Sequence, residues 1–179
     1  MAEKQSQQNL VVKKTNHPLH DKLGNELKQI PGVILDTACG GNHALPLFCD
    51  EKKCAETEFC DVDALIVKDG KVKVIIEIEE ADIKPNQICG KILTSALSKY
   101  YSYKNEKYYF DESVSFIQVV DTCKIKTGSK KANQWINLEK AIKEVLPIPR
   151  TKISNYRLFA LNINTIFDEM ITEINTFLK

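Results

Sequence analysis

Hydrophobic positions recur along this chain at two spacings, and the change between them predicts alternating helices and strands. Segment 17–30 has Leu19, Leu23 and Leu27 at helical spacing and is ended by Pro31-Gly32. Short apolar runs rich in Val and Ile instead indicate strands. The predicted helices cover 17–30, 85–103, 133–146 and 164–178, and the predicted strands cover 33–38, 61–67, 71–79, 113–120 and 156–161.

The order of these elements, αβββαβαβα, predicts an α/β (α+β) fold in which helices flank both faces of a mixed β-sheet. An antiparallel hairpin at 61–79 and parallel connections through helices would share that sheet. A chain of 179 residues is long enough for one domain with its own core. We therefore expect a single domain, 1–179, with a Cys-rich loop inserted at about 39–60.

The hairpin DVDALIVKDGKVKVIIEIEE, residues 61–80, carries more carboxylates than packing alone requires. Glu77 and Glu79 share a face because side chains alternate along a strand. A two-residue Asp69-Gly70 turn would put Asp63 on the opposite face. A three-residue turn with a left-handed Gly70 would instead put Asp61 opposite Glu77 and Asp63 diagonal to it.

The second of these registers builds a tight group of acids on one face. Like charges so close together destabilise a fold unless a cation or a raised pKa neutralises them. Oxygen ligands from Asp and Glu suit Mg2+, and Mn2+ can substitute for it. A solvated strand face is the ordinary explanation of alternating charge, but it fits Glu77 poorly because apolar residues surround it on both sides.

The hairpin and its flanking helices resemble the PD-(D/E)xK nuclease superfamily, which includes small type II restriction endonucleases. The resemblance covers about residues 17–120 and rests on Asp63 followed 14 residues later by Glu77-Ile78-Glu79. It implies a restriction-endonuclease-like core in which Asp63, Glu77 and Glu79 hold the metal. Glu79 stands where the motif usually has lysine, so the resemblance also suggests that Lys91 enters the catalytic group from the following helix.

Three further residues are secondary candidates for this site. Asp61 belongs to the same acidic stretch, Glu26 lies on the first helix where such folds often add an acid, and Gln87 lies one helical turn before Lys91. His17 and His20, in contrast, are interpreted as surface or capping residues.

The function implied by the resemblance is a Mg2+-dependent DNA endonuclease, with a type II restriction enzyme that cuts double-stranded DNA as the leading form. Such an enzyme is expected to be a homodimer. The basic loop after the fourth strand supplies candidate DNA contacts, which are Lys126, Ser129, Lys130 and Lys131. The Tyr- and Lys-rich stretch 99–109 has a composition that also suits contact with the DNA backbone.

The composition of the chain is compatible with a DNA-cleaving enzyme but does not require one. The net charge of +1 neither requires nor excludes nucleic acid, and only 2 of the 25 basic residues, Arg150 and Arg157, are arginine. No apolar run approaches the roughly 18 residues of a membrane span. The first residues lack the apolar core of a secretory signal, so a cytoplasmic location is expected.

Two alternatives remain beside the restriction enzyme. One is another nuclease of the same superfamily, such as a junction resolvase or repair nuclease. The other is a non-catalytic, zinc-stabilised module that binds nucleic acid, built on Cys39, His43, Cys49, Cys54 and Cys60. Their spacings include no C-x2-C pair, so we favour reduced thiols over a structural zinc.

Overall fold

The computed structural model describes residues 17–80, 84–123, 125–126 and 128–179. Within that part of the chain, four helices flank a mixed sheet of eight strands. In chain order the elements are α1 (Pro18–Leu27), β1 (Val33–Leu35), β2 (Pro46–Phe48), β3 (Glu58–Asp61), β4 (Ala64–Lys68), β5 (Lys71–Glu79), α2 (Pro85–Leu97), β6 (Tyr100–Tyr103), β7 (Glu106–Asp121), α3 (Lys130–Val145), β8 (Ile153–Leu161) and α4 (Asp168–Phe177).

The centre of the sheet runs in the order β1-β4-β5-β7-β8. Strand β4 is antiparallel to both of its neighbours, β1 and β5, whereas β5, β7 and β8 are parallel. The hairpin and the parallel connections therefore share one sheet, which confirms the predicted mixed α/β architecture. No helix in the described residues has the length and apolar character that a membrane span requires.

Two hydrophobic cores lie on the two faces of the sheet. Helices α2 and α3 cover one face, where Ile88, Ile92 and Trp135 pack against inward residues of β5 and β7. Helices α1 and α4 cover the other face, where leucines of α1 and Met170 of α4 pack. Each helix buries one apolar stripe, as amphipathic helices in a layered fold do.

The segment 39–60 contributes two short strands to the sheet, so the prediction that it is a loop throughout is wrong at 46–48 and 58–60. It contains β2 and β3, which pair with each other, and β2 also pairs with β6. Strand β6 was predicted as the end of the second helix. That helix ends at Leu97, because the next residues are drawn into pairing with the long strand β7. Tyr100 and Tyr101 are completely buried there, so they are not available to contact DNA.

Candidate active site

The carboxyl ends of the three parallel strands meet at one edge of the sheet. Glu79 of β5 lies beside Val120 of β7, and Asp121 of β7 lies beside Leu161 of β8. Ligand sites in sheets of parallel strands commonly form at this edge, where strands end and loops begin. The conspicuous acids of β5 are therefore at the edge where a site is expected.

A β-bulge decides which face these acids occupy. Asp69 and Gly70 both have positive φ, of 54° and 74°, and form a two-residue turn that places Lys68 opposite Lys71. The register then shifts by one residue, because Val67 pairs with Val72 but Ile66 pairs with Val74. The extra residue, Lys73, is the bulge.

The turn is the two-residue alternative, with Lys68 opposite Lys71, but beyond the bulge Ala64 and not Asp63 pairs with Ile76, so neither predicted placement of Asp63 is observed. Val72 and Ile75 face the α2 side of the sheet, and Val74 and Ile76 face the α1 side. Glu77 and Glu79 follow Ile75 onto the α2 side, since side chains alternate. Asp63 precedes β4, and its carboxylate contacts both the backbone of β5 and His20 of α1, so it lies at the edge of the sheet.

Asp63 is held at the entry to β4 by its contact with β5. Asp63 Oδ2 accepts a hydrogen bond of 2.6 Å from the backbone N–H of Ile78. This bond fixes the carboxylate beside the strand that carries both glutamates. The negative charge of Asp63 contributes to raising the pKa of Glu77 and of Glu79, which places the three acids in one electrostatic unit.

Lys91 joins this unit from α2. Its Nζ donates a hydrogen bond of 2.8 Å to Glu77 Oε2 and forms an ion pair with Glu79 Oε1 at 2.7 Å. The Lys91 side chain is 36% exposed, whereas those of Glu77 and Glu79 are 2% and 11% exposed. The group is therefore buried on the sheet side and open to solvent on the side of the lysine.

Burial sets the protonation of these groups. It raises the pKa of Glu77 to about 8, helped by the charges of Asp63 and Glu79 and opposed by Lys91. Burial likewise raises the pKa of Glu79, again against the effect of Lys91. Burial would lower the pKa of Lys91, but its contacts with both glutamates outweigh this effect and raise it. The contacts with the glutamates thus favour the charged form of Lys91, whereas burial favours the neutral form of Glu77.

Gln118 forms the floor of the site and was not anticipated from the sequence. It lies beside Glu77 on β7, is fully buried, and its Oε1 accepts a hydrogen bond of 3.0 Å from the Tyr156 hydroxyl. Gln118 also helps to lower the pKa of Glu79, so its amide group faces that carboxylate. In the sequence, the one indication that Gln118 has a special role is that it is the single amide residue within the apolar run SFIQVV.

His20 and Glu80 were also missed. His20 is buried, so its interpretation as a surface or capping residue is wrong. Its Nε2 lies 3.6 Å from Asp63 Oδ1 and its Nδ1 lies 3.3 Å from Glu80 Oε1. Burial would lower the pKa of His20, but these two carboxylates outweigh it and raise the pKa. The sequence indicated a role for His20 only through its spacing, three residues after His17 at the start of the first helix.

The three secondary candidates lie apart from this arrangement. Asp61 is on β3, paired with Pro46 and exposed, so its predicted place opposite Glu77 is wrong. Glu26 is exposed on α1, and the residue of that helix that reaches Asp63 is His20. Gln87 accepts a hydrogen bond of 2.8 Å from the Lys84 N–H and thereby caps the start of α2.

The predicted DNA contacts lie after β7, at the same edge of the sheet as the carboxylates. Lys126 and Lys130 are exposed there. Ser129 caps α3, because its hydroxyl accepts a hydrogen bond of 3.2 Å from the Ala132 N–H. Lys131 lies over the ring of Trp135, 5.3 Å from its centroid.

The Cys-rich segment does not gather zinc ligands. Cys39 packs in the core under α1, whereas Cys60 packs on the opposite face near Ser95. His43 Nε2 lies 2.6 Å from the Tyr101 hydroxyl. Across the described ranges, three or more His, Cys, Asp or Glu side chains converge on a point only at His17, His20 and Glu80. The structure thus gives no support to a zinc site built on the cysteines.

Asp63, Glu77 and Glu79 offer the oxygen ligands that suit a hard divalent cation, but their carboxylate oxygens do not converge as closely as the ligand atoms of His17, His20 and Glu80, and Lys91 lies against both glutamates. The three acids offer only oxygen ligands, and Glu77 Oε1 is buried with no hydrogen-bond partner among the described residues. A buried carboxylate oxygen without a donor is costly, and a cation would satisfy it.

Neither a family model, nor a curated protein, nor a solved structure gave a significant match to this chain.

Proposed function

We propose that this chain is a Mg2+-dependent DNA endonuclease, with a type II restriction endonuclease that cuts double-stranded DNA as the leading form. The observation that carries the proposal is Glu77, an almost fully buried carboxylate with one unpartnered oxygen. It sits in one electrostatic unit with Asp63, Glu79 and Lys91. Metal-assisted hydrolysis of a phosphodiester requires acids that hold the metal and a positive charge near the phosphate, and the three acids and one lysine supply both at an edge of the sheet that is partly open to solvent.

Asp63, Glu77 and Glu79 are the residues that would hold Mg2+, and Mn2+ has the same preference for oxygen ligands. When bound, the metal lowers the pKa of a water molecule and draws charge from the phosphate. Glu79 is the more exposed of the two glutamates, and its raised pKa suits an oxygen that accepts the proton of the attacking water.

Lys91 supplies the positive charge of the site. Its four-carbon side chain is partly exposed and flexible, so its ammonium group can move from the carboxylates to a phosphate oxygen. There it would stabilise the negative charge that grows on the phosphate as the bond breaks. We assign to Lys91 the role that the motif lysine has in the nucleases this chain resembles.

The order of elements around the site supports the same proposal. Without the short strands β2, β3 and β6, the elements run in the predicted order αβββαβαβα. The acids lie at the start of β4 and at the end of β5, as in the PD-(D/E)xK motif. This arrangement resembles a restriction-endonuclease-like core.

The exposed lysines after β7 fit a DNA-binding role for that edge. Lys126 and Lys130 would contact phosphates rather than read bases, because lysine acts as a point charge on the backbone. Affinity should therefore fall steeply with salt. A pair of such sites related by two-fold symmetry would cut both strands, so we propose that the active form is a homodimer.

The direct test is cleavage of several DNA forms in the presence of Mg2+, with EDTA as the blank. Supercoiled plasmid, phage DNA, single strands and four-way junctions should be compared for wild type, Glu77→Ala and Glu112→Ala. Glu112 is the matched control because its side chain is 81% exposed on β7.

Discrete fragments from plasmid and phage DNA that vanish only in Glu77→Ala would support the restriction enzyme. Cutting confined to junctions would favour the resolvase alternative. Lack of cleavage of every DNA form, or equal cleavage by both variants, would refute the nuclease proposal.

A further inference from the structure

A second group of ligands lies beside the proposed active site, where α1 begins and β5 ends. His17 immediately precedes α1, His20 lies in the first turn of that helix, and Glu80 directly follows β5. Their ligand atoms all lie within 4.8 Å of one another. Two imidazoles and one carboxylate differ chemically from the oxygen-only set of Asp63, Glu77 and Glu79.

The local structure holds these three side chains in place. Pro18 occupies the first helical position, where its fixed φ favours the start of a helix. The backbone N–H of His20 donates a hydrogen bond of 2.8 Å to Glu80 Oε1. This bond ties the end of β5 to the first turn of α1, so the carboxylate is positioned before any ligand arrives.

The distances match a shared ion better than direct hydrogen bonds. His17 Nδ1 lies 3.6 Å from Glu80 Oε2, and His20 Nδ1 lies 3.3 Å from Glu80 Oε1. Ligands about 2.1 Å from a tetrahedral zinc are separated by about 3.4 Å. Each imidazole is therefore about one such edge length from an oxygen of Glu80, His17 from Oε2 and His20 from Oε1.

His20 supplies an independent indication. The residue is only 7% exposed, yet its Nδ1 is buried without a hydrogen-bond partner among the described residues. That nitrogen faces Glu80. The Glu80 carboxylate is thus close to Nδ1 without a hydrogen bond between them, and a metal ion between the two groups would bind both.

We propose that His17, His20 and Glu80 form a binding site for a borderline divalent transition metal such as Zn2+ or Co2+. Imidazole nitrogen favours these ions over Mg2+. Three protein ligands leave the fourth position of a tetrahedral ion for water. The proposal does not depend on the nuclease activity.

The proposed site of His17, His20 and Glu80 also contacts a residue that is not one of its ligands. His20 Nε2 lies 3.6 Å from Asp63 Oδ1. When Nδ1 binds a metal, the proton of the neutral ring is on Nε2 and points to that carboxylate, as in the carboxylate–histidine–metal arrangement of many metal sites. His20 then links this site to one of the acids of the proposed active site.

The test is titration of the full, chelator-treated chain with Co2+ in excess Mg2+, followed by visible absorbance. The excess Mg2+ is added to occupy sites that consist only of oxygen ligands. The visible absorbance of Co2+ then reports which types of ligand atom bind the cobalt ion. His17→Ala and Glu80→Gln are the test variants; the His17 side chain is 58% exposed, so its removal should leave the fold intact. His43→Ala is the control, because His43 is the remaining histidine of the chain.

We expect wild type and His43→Ala to bind one Co2+ with a nitrogen and oxygen spectrum, and both test variants to bind at least about tenfold more weakly. Co2+ should also raise the melting temperature of wild type but not of His17→Ala. The proposal fails if wild type binds no Co2+, if the spectrum shows a thiolate-to-metal band, or if the test variants bind as tightly as the control.

Discussion

Glu77→Gln should make the protein more stable at alkaline pH while it removes the proposed activity. Burial raises the pKa of Glu77 from the 4.5 of an ordinary glutamate to about 8. An acid whose pKa is higher in the folded state favours folding when protonated. Its stabilising effect is complete below pH 4.5 and is lost as the pH rises through 8.

The size of the effect follows from this shift. At pH 5.5 and above the unfolded chain has largely lost the proton of Glu77, whereas the fold keeps this proton until the pH approaches 8. Wild type should therefore lose about 3 kcal/mol of unfolding free energy between pH 5.5 and pH 8.5 through this one group. Glutamine is neutral and of the same shape, so the variant should lose correspondingly less.

Urea unfolding at pH 5.5 and pH 8.5, in EDTA, measures the difference. Trp135, the only tryptophan and a buried residue of α3, provides the fluorescence signal. Glu112→Gln is the matched control, since its exposed carboxylate should leave the pH dependence unchanged. If wild type and Glu77→Gln show the same change in unfolding free energy with pH, Glu77 is not the buried ionisable group described above.

Three further predictions concern other parts of the molecule. Lys91→Met should lower the rate of DNA cleavage by about 10²-fold or more in a plasmid assay, because it removes the positive charge offered to the phosphate; a rate within threefold of wild type would contradict that role. Gly24→Ala should lower the melting temperature by several degrees, because a Cβ at this position would lie 2.1 Å from Cys39 O. Gly90→Ala is the comparison variant: its Cβ meets no atom within 4 Å, and it should stabilise α2 by about 1 kcal/mol. Equal melting temperatures of the two variants would contradict the close approach at Gly24. Ser129→Ala should reduce the unfolding free energy by about 1 kcal/mol in urea by removing the cap of α3, and an unchanged value would argue against the cap.

Strong periodicity made the long elements predictable from the sequence. The leucines of α1 and the apolar run of β5 both lie where the pattern placed them. Strands β2 and β3 were missed because they have only three and four residues and depend on pairing with distant strands. Strand β6 was assigned to a helix because local propensity gave no sign of its partner β7.

The site was partly predictable for the same reason. Glu77 stood out because a carboxylate in an apolar strand needs a partner, and the family resemblance suggested Lys91 on the following helix, where the structure has Lys91 Nζ bound to Glu77. The bulge at Lys73 was hidden, since no residue type there requires it, and it shifted the pairing of β4 with β5 by one residue. His20 was missed because its carboxylate partners lie 43 and 60 positions away in the sequence.

The central claim is that the carboxylates around Glu77 carry out metal-dependent phosphodiester hydrolysis. Its most direct test is the initial rate of Mg2+-dependent plasmid cleavage by wild type, Glu77→Gln and Glu112→Gln, each verified as folded by Trp135 fluorescence. We expect wild type and Glu112→Gln to cleave alike and Glu77→Gln to be at least about 10²-fold slower despite its greater stability. Cleavage by Glu77→Gln at the wild-type rate, or no cleavage by wild type on any DNA, would contradict the claim.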